Sequence, residues 1–307
     1  MRRHVDSELV PVRGPDWVAR PERSHTDVIR FIVWVALTLG RTAARALLYP
    51  TALYFLTFSS LARRASEGFM RRALGRRPGV ADAFRHFHCF AATMLDRVFL
   101  LNGQYARFDV RVQGAEIVEH MAARGEGCVL LGAHLGSFEI VRSLARAAGG
   151  PQVSLVMYEE NARKLTSVLD AINPKLAPKV IALGKLDSML KVRTALECGG
   201  VVGMLGDRTI KGEGTMPCDF FGEPASFPLG PFRIAVMLKK PMVLMFGLYR
   251  GGNRYDVYFE QLIDMGQIER AQRDVLIEQA LRRYVARLEH YCRVAPCNWF
   301  NFYDFWK

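Results

Sequence analysis

The chain has 307 residues, half of them hydrophobic, which is ample for one sizeable core and an additional segment. Its formal net charge is +12, and residues 1–79 carry much of it, with fourteen arginines, no lysine and six acidic residues. Such a basic segment suits an anionic partner: nucleic acid, an acidic protein or an anionic membrane leaflet. The six cysteines show neither C-x-x-C pairing nor a partnered histidine spacing, so they predict reduced cytoplasmic thiols and exclude a typical zinc site.

The first part of the chain, residues 1–27, is polar and predicts an irregular arm without a signal peptide. Residues 28–62 are strongly apolar, but arginines cut the uncharged stretches below the ~20 residues that a clean membrane span needs. One helix face is basic, because three arginines fall within ~60° of one another: Arg30, Arg41 and Arg45. The pattern favours a helix in the membrane interface, divided near Pro50. A buried helical hairpin and a single tilted span are the alternatives.

Arginine pairs follow this apolar stretch, and anionic lipid headgroups attract such a segment at ~1 kcal/mol per residue. The arginines predicted to face the membrane are Arg41, Arg45, Arg63, Arg64, Arg71 and Arg72. A solvated basic helix face is the alternative, and nucleic acid is not expected, because no nucleic-acid motif is present. Residues 80–101 predict another helix, on which His86 and His88 are surface or packing residues. Residues 28–103 thus form a predicted basic, helical, membrane-associating segment.

From residue 104 onwards, short apolar strands alternate with helices. Strands are predicted at 108–112, 128–131, 153–157, 180–183, 201–205 and 242–248, and helices at 115–124, 162–172, 186–198 and 267–294. This alternation implies a mainly parallel sheet flanked by helices on both faces. Residues 255–259 predict an antiparallel edge strand. The predicted fold class is therefore α/β, with the α/β domain at 104–307.

A strand–turn–helix unit carries the strongest candidate for chemistry. His134 lies in the turn between Gly132 and Gly136, and Glu139 lies in the first turn of the helix. We expect the imidazole to fold back on the Glu139 carboxylate, which would fix the tautomer and leave the second nitrogen as a base. A satisfied histidine at a strand end, with a helix-capping glutamate, is the alternative.

A second candidate pair, Asp207 and Arg208, follows the strand predicted at 201–205. Ligands collect at the carboxyl ends of parallel strands, so this pair and His134 are expected to face one cleft. Residues 209–230 predict a long functional loop with little regular structure. Its candidate substrate-binding residues are Phe220, Phe221, Gly222, Pro228 and Gly230. A long edge loop with a salt-bridged Asp–Arg pair is the alternative.

These motifs resemble those of a known family. His-x4-Glu after an apolar strand is similar to the histidine–acid motif of the glycerolipid and lipid A acyltransferases. Residues 201–208, 218–222 and 227–235 resemble later blocks of the lipid A branch, so the likeness covers roughly residues 114–257. The resemblance implies a peripheral or monotopic enzyme of lipid biosynthesis on the cytoplasmic face of the bacterial inner membrane, without cofactor or metal.

The activity implied is transfer of a fatty acyl chain from a thioester, acyl carrier protein or acyl-coenzyme A, to a hydroxyl of a lipid or glycolipid. His134 would be the general base and Glu139 would orient it. Backbone N–H groups near Gly136, or Arg208, would stabilise the oxyanion. Gly136, Ser137 and Asp207 are further substrate-binding candidates, and anionic membrane lipid is an expected partner.

Two other functional classes stay open. The chain could keep the fold as a catalytically inactive lipid-binding or scaffolding member of the family. It could instead be a soluble hydrolase with Ser137 as nucleophile, although Leu135 and Glu139 stand where the G-x-S-x-G elbow has its glycines.

Overall fold

The computed structural model describes residues 33–158, 179–184, 187–209, 212–264 and 270–307. The predicted arm at 1–27, Arg30 and the predicted helix at 162–172 lie outside these residues. The strands are β1 (Asp109–Gln113), β2 (Cys128–Gly132), β3 (Val153–Tyr158), β4 (Lys179–Leu183), β5 (Val201–Leu205), β6 (Thr215–Phe220), β7 (Glu223–Pro228), β8 (Met242–Tyr249) and β9 (Arg254–Ile263). The helices are α1 (Gly40–Ala46), α2 (Leu48–Phe58), α3 (Ser60–Leu74), α4 (Val80–Leu101), α5 (Ala115–Ala123), α6 (Phe138–Ala147), α7 (Ser188–Glu197), α8 (Gly230–Leu238) and α9 (Arg273–Val294).

The main sheet has seven strands in the order β1-β9-β8-β2-β5-β3-β4. Strands β8, β2, β5, β3 and β4 run parallel to one another, which confirms the predicted mainly parallel α/β sheet. The antiparallel direction predicted for β9 is also confirmed by its pairing with β8. Its predicted place at the edge was wrong, because β1 pairs with β9 on the outer side.

The central strand β2 shows why helices cover both faces of the sheet. Successive side chains of a strand point to opposite faces. Cys128 and Leu130 pack in one cluster with residues of α4 and α6, including Leu95 and Ile140. Val129 and Leu131 pack in the other cluster with residues of α8 and α9, including Phe232 and Leu281. Because β2 is buried on both faces, its sequence is continuously apolar, as predicted.

The N-terminal helices bury one side and expose the other. The helical path is interrupted at Leu47, three residues before Pro50, which lacks the N–H that a continuous helix would use. Leu48, Ala52 and Leu56 are buried, whereas large apolar side chains on the other side stay exposed: Trp34, Leu37, Leu39, Tyr49, Leu53, Tyr54, Phe58 and Leu61. We call these eight residues the apolar face. Among the described residues, no helix combines the length and apolarity needed to cross a membrane.

Two of the arginines predicted to face lipid headgroups point into the protein instead. Arg41 Nε donates to Asp96 Oδ1 at 2.8 Å, and its Nη2 donates to Oδ2 at 2.9 Å. The Asp96 carboxylate is fully buried and also accepts a hydrogen bond from Tyr255 at 2.9 Å. Arg45 donates to the Tyr249 hydroxyl at 2.9 Å. The prediction for Arg41 and Arg45 was wrong, because both guanidinium groups bind partners within the fold. For Arg41 that partner is a buried carboxylate, which needs a compensating charge.

Among the remaining predicted arginines, Arg72 pairs with Glu223 of the β7 strand. Arg63 lies 3.7 Å from Glu67 on its own helix, an exposed pair worth little in stability. Arg64 and Arg71 are also exposed and still suit a negatively charged surface.

The predicted irregular loop at 209–230 was wrong, because most of it is an antiparallel hairpin of β6 and β7. Phe221 and Gly222 form its turn with φ angles of 60° and 81°. Phe220 and Phe227 are fully buried in the core, so inward-facing residues anchor the hairpin on the domain. Gly222 lies in the turn, whereas Pro217 and Pro224 lie within the paired strands; both strands are edge strands of a two-stranded sheet, where proline is tolerated.

Candidate functional site

His134 and Asp207 come together at the carboxyl edge of the sheet. His134 follows β2, Asp207 follows β5, and these strands are parallel neighbours. The His134 ring Nδ1 lies 2.8 Å from Asp207 Oδ1, and the His134 backbone N–H donates to Oδ2 at 3.0 Å. Asp207 thereby fixes both the ring and the main chain of His134. The two motifs, which were predicted to face one cleft, are thus brought together at this edge of the sheet.

The Asp207 carboxylate is completely buried and accepts several hydrogen bonds. Besides its two bonds to His134, Oδ2 accepts the Trp299 Nε1–H at 3.0 Å and the Asn301 amide at 2.9 Å. Burial alone would raise the pKa of Asp207, but the charge of His134 and the hydrogen bonds outweigh it and lower the pKa to about 2. Asp207 is therefore ionised throughout the neutral range and keeps the Nδ1 proton on the imidazole.

The predicted contact between Glu139 and the imidazole was wrong. Glu139 Oε1 accepts from Arg142 Nε at 2.9 Å, and its Oε2 lies 3.7 Å from Arg97 Nε of α4. The Glu139 side chain is 3% exposed. Helix α6 packs on the α4 side of the sheet, whereas Asp207 approaches His134 from β5. A buried glutamate on that helix finds its charge partners among the neighbouring arginines.

The backbone N–H groups proposed for the oxyanion are already used within the fold. Gly136 N–H donates to the Asn298 carbonyl at 2.8 Å, and Ser137 N–H donates to the Gly247 carbonyl at 2.8 Å. Gly136 has φ +70°, and a Cβ there would lie 2.0 Å from the Gly247 oxygen. Only glycine fits this turn. The N–H groups of Gly136 and Ser137 are therefore already committed and do not supply the expected oxyanion contact. Ser137 itself is buried.

Arg208 remains beside the imidazole as a candidate for charge stabilisation. Its Nε donates to Asn301 Oδ1 at 2.7 Å and its Nη2 donates to the Phe300 carbonyl at 3.1 Å. The guanidinium also lies 5.8 Å from the Tyr303 ring centroid. Burial lowers the pKa of Arg208, although Asp207 opposes this change. Held in this way, Arg208 places a fixed positive charge next to His134.

The imidazole of His134 is accessible, with 28% of its side chain exposed. Burial lowers its pKa, the charge of Arg208 lowers it further, and Asp207 acts in the opposite direction. The ring is therefore neutral at neutral pH. Because Nδ1 donates to Asp207, the lone pair of the neutral ring is on Nε2. This is the protonation state that a general base requires.

A C-terminal strap at residues 298–301 completes the site, and its part was not predicted from the sequence. The Asn298 side chain binds the end of β8: it accepts from the Tyr249 N–H and donates to the Tyr249 carbonyl. Trp299 and Asn301 bind Asp207, and Phe300 N–H donates to the His134 carbonyl at 2.7 Å. Two amide side chains flanking a tryptophan in an aromatic tail were the available signal. Asn298 is 49 residues from Tyr249, and Trp299 and Asn301 are 92 and 94 residues from Asp207, separations that no local pattern reveals.

The other predicted substrate-binding residues lie in the hairpin and the core. The Phe220 ring packs against the Trp299 ring of the strap, with 5.4 Å between the ring centroids. Phe221 and Gly222 form the hairpin turn, where Phe221 N–H donates to Glu289 of α9. Pro228 is buried at the end of β7, and Gly230 begins α8.

The site is separate from the clefts that the surface offers elsewhere. A cleft of about 460 Å³ lies between β6 and α9, and its lining residues include neither His134 nor Asp207. Among the described residues, no group of three or more His, Cys, Asp or Glu side chains could hold a metal ion.

Comparison with known proteins gives one informative match. No curated protein sequence matches the chain. The model of the bacterial lipid A biosynthesis acyltransferases matches residues 25–307, which includes the His134 turn, the Asp207–Arg208 pair and the C-terminal strap. On this evidence the chain belongs to the bacterial lipid A biosynthesis acyltransferase family, which points to an acyltransferase that acts on lipid.

Proposed function

We propose that this protein transfers a fatty acyl chain from a thioester donor to a hydroxyl group of a lipid or glycolipid. The observation that carries the proposal is the 2.8 Å contact between His134 and Asp207 at the carboxyl ends of adjacent parallel strands. A nucleophile hydroxyl needs a positioned base, and a base needs a third group that fixes its tautomer. His134 and Asp207 supply these two parts, and the acceptor supplies the hydroxyl.

In the proposed reaction His134 Nε2 takes the proton of the acceptor hydroxyl while the oxygen attacks the thioester carbonyl. The imidazolium that forms is stabilised by the buried Asp207 carboxylate. The tetrahedral intermediate then expels the thiolate, which takes the proton back from His134. Atoms and charges balance without an acyl-enzyme. Asp207 here takes the orienting role that sequence spacing assigns to Glu139.

Arg208 is the proposed stabiliser of the oxyanion. Its guanidinium is held by Asn301 and the Phe300 carbonyl and is close enough to His134 to lower the pKa of that ring. A fixed cation beside the base favours negative charge that develops on the thioester oxygen. The backbone N–H groups of Gly136 and Ser137 do not compete for this role, since both already donate to carbonyl groups.

Glu139 is proposed to act through α6 rather than through the imidazole. It lies between Arg97 and Arg142 and joins α4 to α6, the helix that follows the His134 turn. We expect its loss to weaken the position of the turn while leaving His134 and Asp207 in contact. A catalytically inactive lipid-binding role is the second candidate, and the pairing of Glu139 with arginines instead of with His134 is the observation that favours it.

The apolar face is the proposed contact with the bilayer. Trp34 and Phe58 are 57% and 66% exposed, and exposed aromatic and aliphatic side chains suit the interface of a membrane. Arg64 and Arg71 are exposed on the following helix and would meet anionic headgroups. Arg41 connects the N-terminal helices to Asp96 and to the Gly252 carbonyl. Gly252 lies in the loop after β8, at the same edge of the sheet as His134. The acceptor would reach His134 from that membrane surface, on the cytoplasmic side of the inner membrane.

Mass spectrometry of lipids tests the proposal directly. Purified protein in lipid vesicles is incubated with extracted bacterial lipids and either acyl carrier protein thioester or acyl-coenzyme A. The expected result is a lipid whose mass increases by one acyl group with at least one donor, and no such product with His134→Ala. Lipid binding without any acylated product from either donor would favour the inactive alternative.

A further inference from the structure

A buried histidine outside the catalytic pair is connected to it by hydrogen bonds. His86 lies on α4, is completely buried, and places its ring Nε2 2.8 Å from the Trp299 carbonyl oxygen. Its Nδ1 lies 2.8 Å from the Ser66 hydroxyl on α3. The peptide group that joins residues 299 and 300 therefore receives a bond from His86 on its carbonyl side.

The same peptide group holds the catalytic histidine on its other side. Phe300 N–H donates to the carbonyl of His134 at 2.7 Å, and the Trp299 indole donates to Asp207 at 3.0 Å. One rigid, planar peptide unit thus bridges His86 and the main chain of His134. Its tryptophan side chain reaches the carboxylate that orients the imidazole.

The direction of each hydrogen bond follows from the chemistry of the groups. A carbonyl oxygen only accepts, so His86 Nε2 must carry the proton and Nδ1 must accept from the Ser66 hydroxyl. The pKa of His86 is lowered to about 4 by burial, so the ring stays neutral and keeps this tautomer at neutral pH. The chain of bonds from Ser66 to His134 has a single orientation.

We propose that His86 is a positioning residue for the catalytic pair: it fixes the 299–300 peptide, and through it the carbonyl of His134 and the carboxylate of Asp207. This inference rests on the proposed acyl transfer. The hydrogen bond between His86 and Ser66 also connects α3, one of the arginine-rich N-terminal helices, to the general base His134. A histidine that only filled space would not need its Nε2–H on the strap.

Two substitutions of similar size separate positioning from packing. In His86→Gln the amide nitrogen occupies the place of Nε2 and can still donate to the Trp299 carbonyl. In His86→Asn the shorter side chain reaches only the place of Nδ1, so the bond to Ser66 survives and the bond to Trp299 is lost. Thermal unfolding of both variants measures how far each one disturbs the core.

The assay is acyl transfer by the full chain in lipid vesicles, with kcat and KM measured separately. We expect kcat of His86→Asn to fall about tenfold or more with little change in KM, since small displacements of reacting groups are costly. His86→Gln should stay within about threefold of the unchanged protein, because it keeps the strap bond. Equal losses in both variants, or full activity in His86→Asn, would overturn the proposal. If His86→Asn does not fold, His86→Met replaces it, because methionine fills the space and donates no hydrogen bond.

A second readout does not depend on turnover. The pKa of His134 is measured by NMR on protein with labelled histidine, with His134→Ala used for assignment. The charged groups that face this ring are Asp207 and Arg208, both tied to the strap through Asn301. The pKa should change in His86→Asn and stay constant in His86→Gln, and identical values in all three proteins would contradict positioning. Absence of acyl transfer by the unchanged protein would instead refute the proposed function. The NMR measurement would still test whether His86 positions His134.

Discussion

Replacing Asp207 with asparagine should reverse the tautomer of His134. Three N–H donors meet at Oδ2 of Asp207, from His134, Trp299 and Asn301. The amide oxygen of an asparagine must take that position, because its NH2 group would face three other donors there. The NH2 group then faces Nδ1 of His134 and donates to it. The imidazole proton moves to Nε2, and the nitrogen that should accept the hydroxyl proton is blocked.

The expected loss in kcat is about 10³- to 10⁴-fold, as for an aspartate that orients a catalytic histidine in other enzymes, or about 4–5 kcal/mol in the activation free energy. Acceptor-dependent release of thiol from the acyl donor measures kcat, and ¹⁵N NMR of labelled histidine identifies the tautomer. The matched control is Asp219→Asn, since Asp219 accepts a backbone N–H in the hairpin turn at 2.7 Å and carries the same charge. An Asp207→Asn protein with kcat within a few-fold of the unchanged protein would refute this reasoning.

Three further predictions concern charge and surface. Arg208→Gln removes a cation and should raise the pKa of His134. The acid limb of the kcat/KM profile, expected below pH 6.5, should therefore move to higher pH. An unchanged limb would show that Arg208 does not influence the pKa of His134. Because the pKa of His86 is about 4 when folded and near 6.5 when unfolded, the unfolded state binds more protons between these values. The free energy of unfolding should therefore fall by about 3 kcal/mol more than in His86→Gln between pH 6.5 and 4, measured by urea titration, and parallel curves would contradict this. Leu53→Asp with Phe58→Asp should abolish pelleting with anionic vesicles, whereas retained pelleting would place the membrane contact elsewhere.

The sheet was the most predictable part of the molecule, because its signals are local. Strand β2 is continuously apolar over Cys128–Gly132 and is buried on both faces, as such a run predicts. The rule that ligands collect at the carboxyl ends of parallel strands also brought His134 and Asp207 to one edge. Whether β2 and β5 are neighbours is decided by the strand order, which the sequence does not contain.

The partner of His134 was not predictable from spacing. Glu139 is five residues away in sequence and Asp207 is seventy-three, so the nearer acid was the natural choice. Helix packing determines the partner instead: α6 packs beside α4, and Glu139 pairs with Arg142 of its own helix and Arg97 of α4. Local spacing defines which residues can approach each other, and tertiary packing selects among them.

The basic face of the N-terminal helix shows the same limit. A sequence can place Arg41 and Arg45 on one helix side, but it cannot show what that side meets. Asp96 is fifty-five residues further along, and its burial only becomes evident in the folded chain. The hairpin at β6 and β7 was missed for a different reason, since its prolines and glycines resemble those of an irregular loop.

Acceptor-dependent release of thiol by His134→Ala is the measurement that tests the central claim most directly. The protein is assayed in anionic vesicles with an acyl thioester and the lipid acceptor, beside the unchanged chain and Glu139→Gln. We predict no release above background for His134→Ala and a smaller loss for Glu139→Gln, because Glu139 binds arginines and not the imidazole. Thiol release by His134→Ala at a rate near that of the unchanged chain would contradict the role of His134 as the general base.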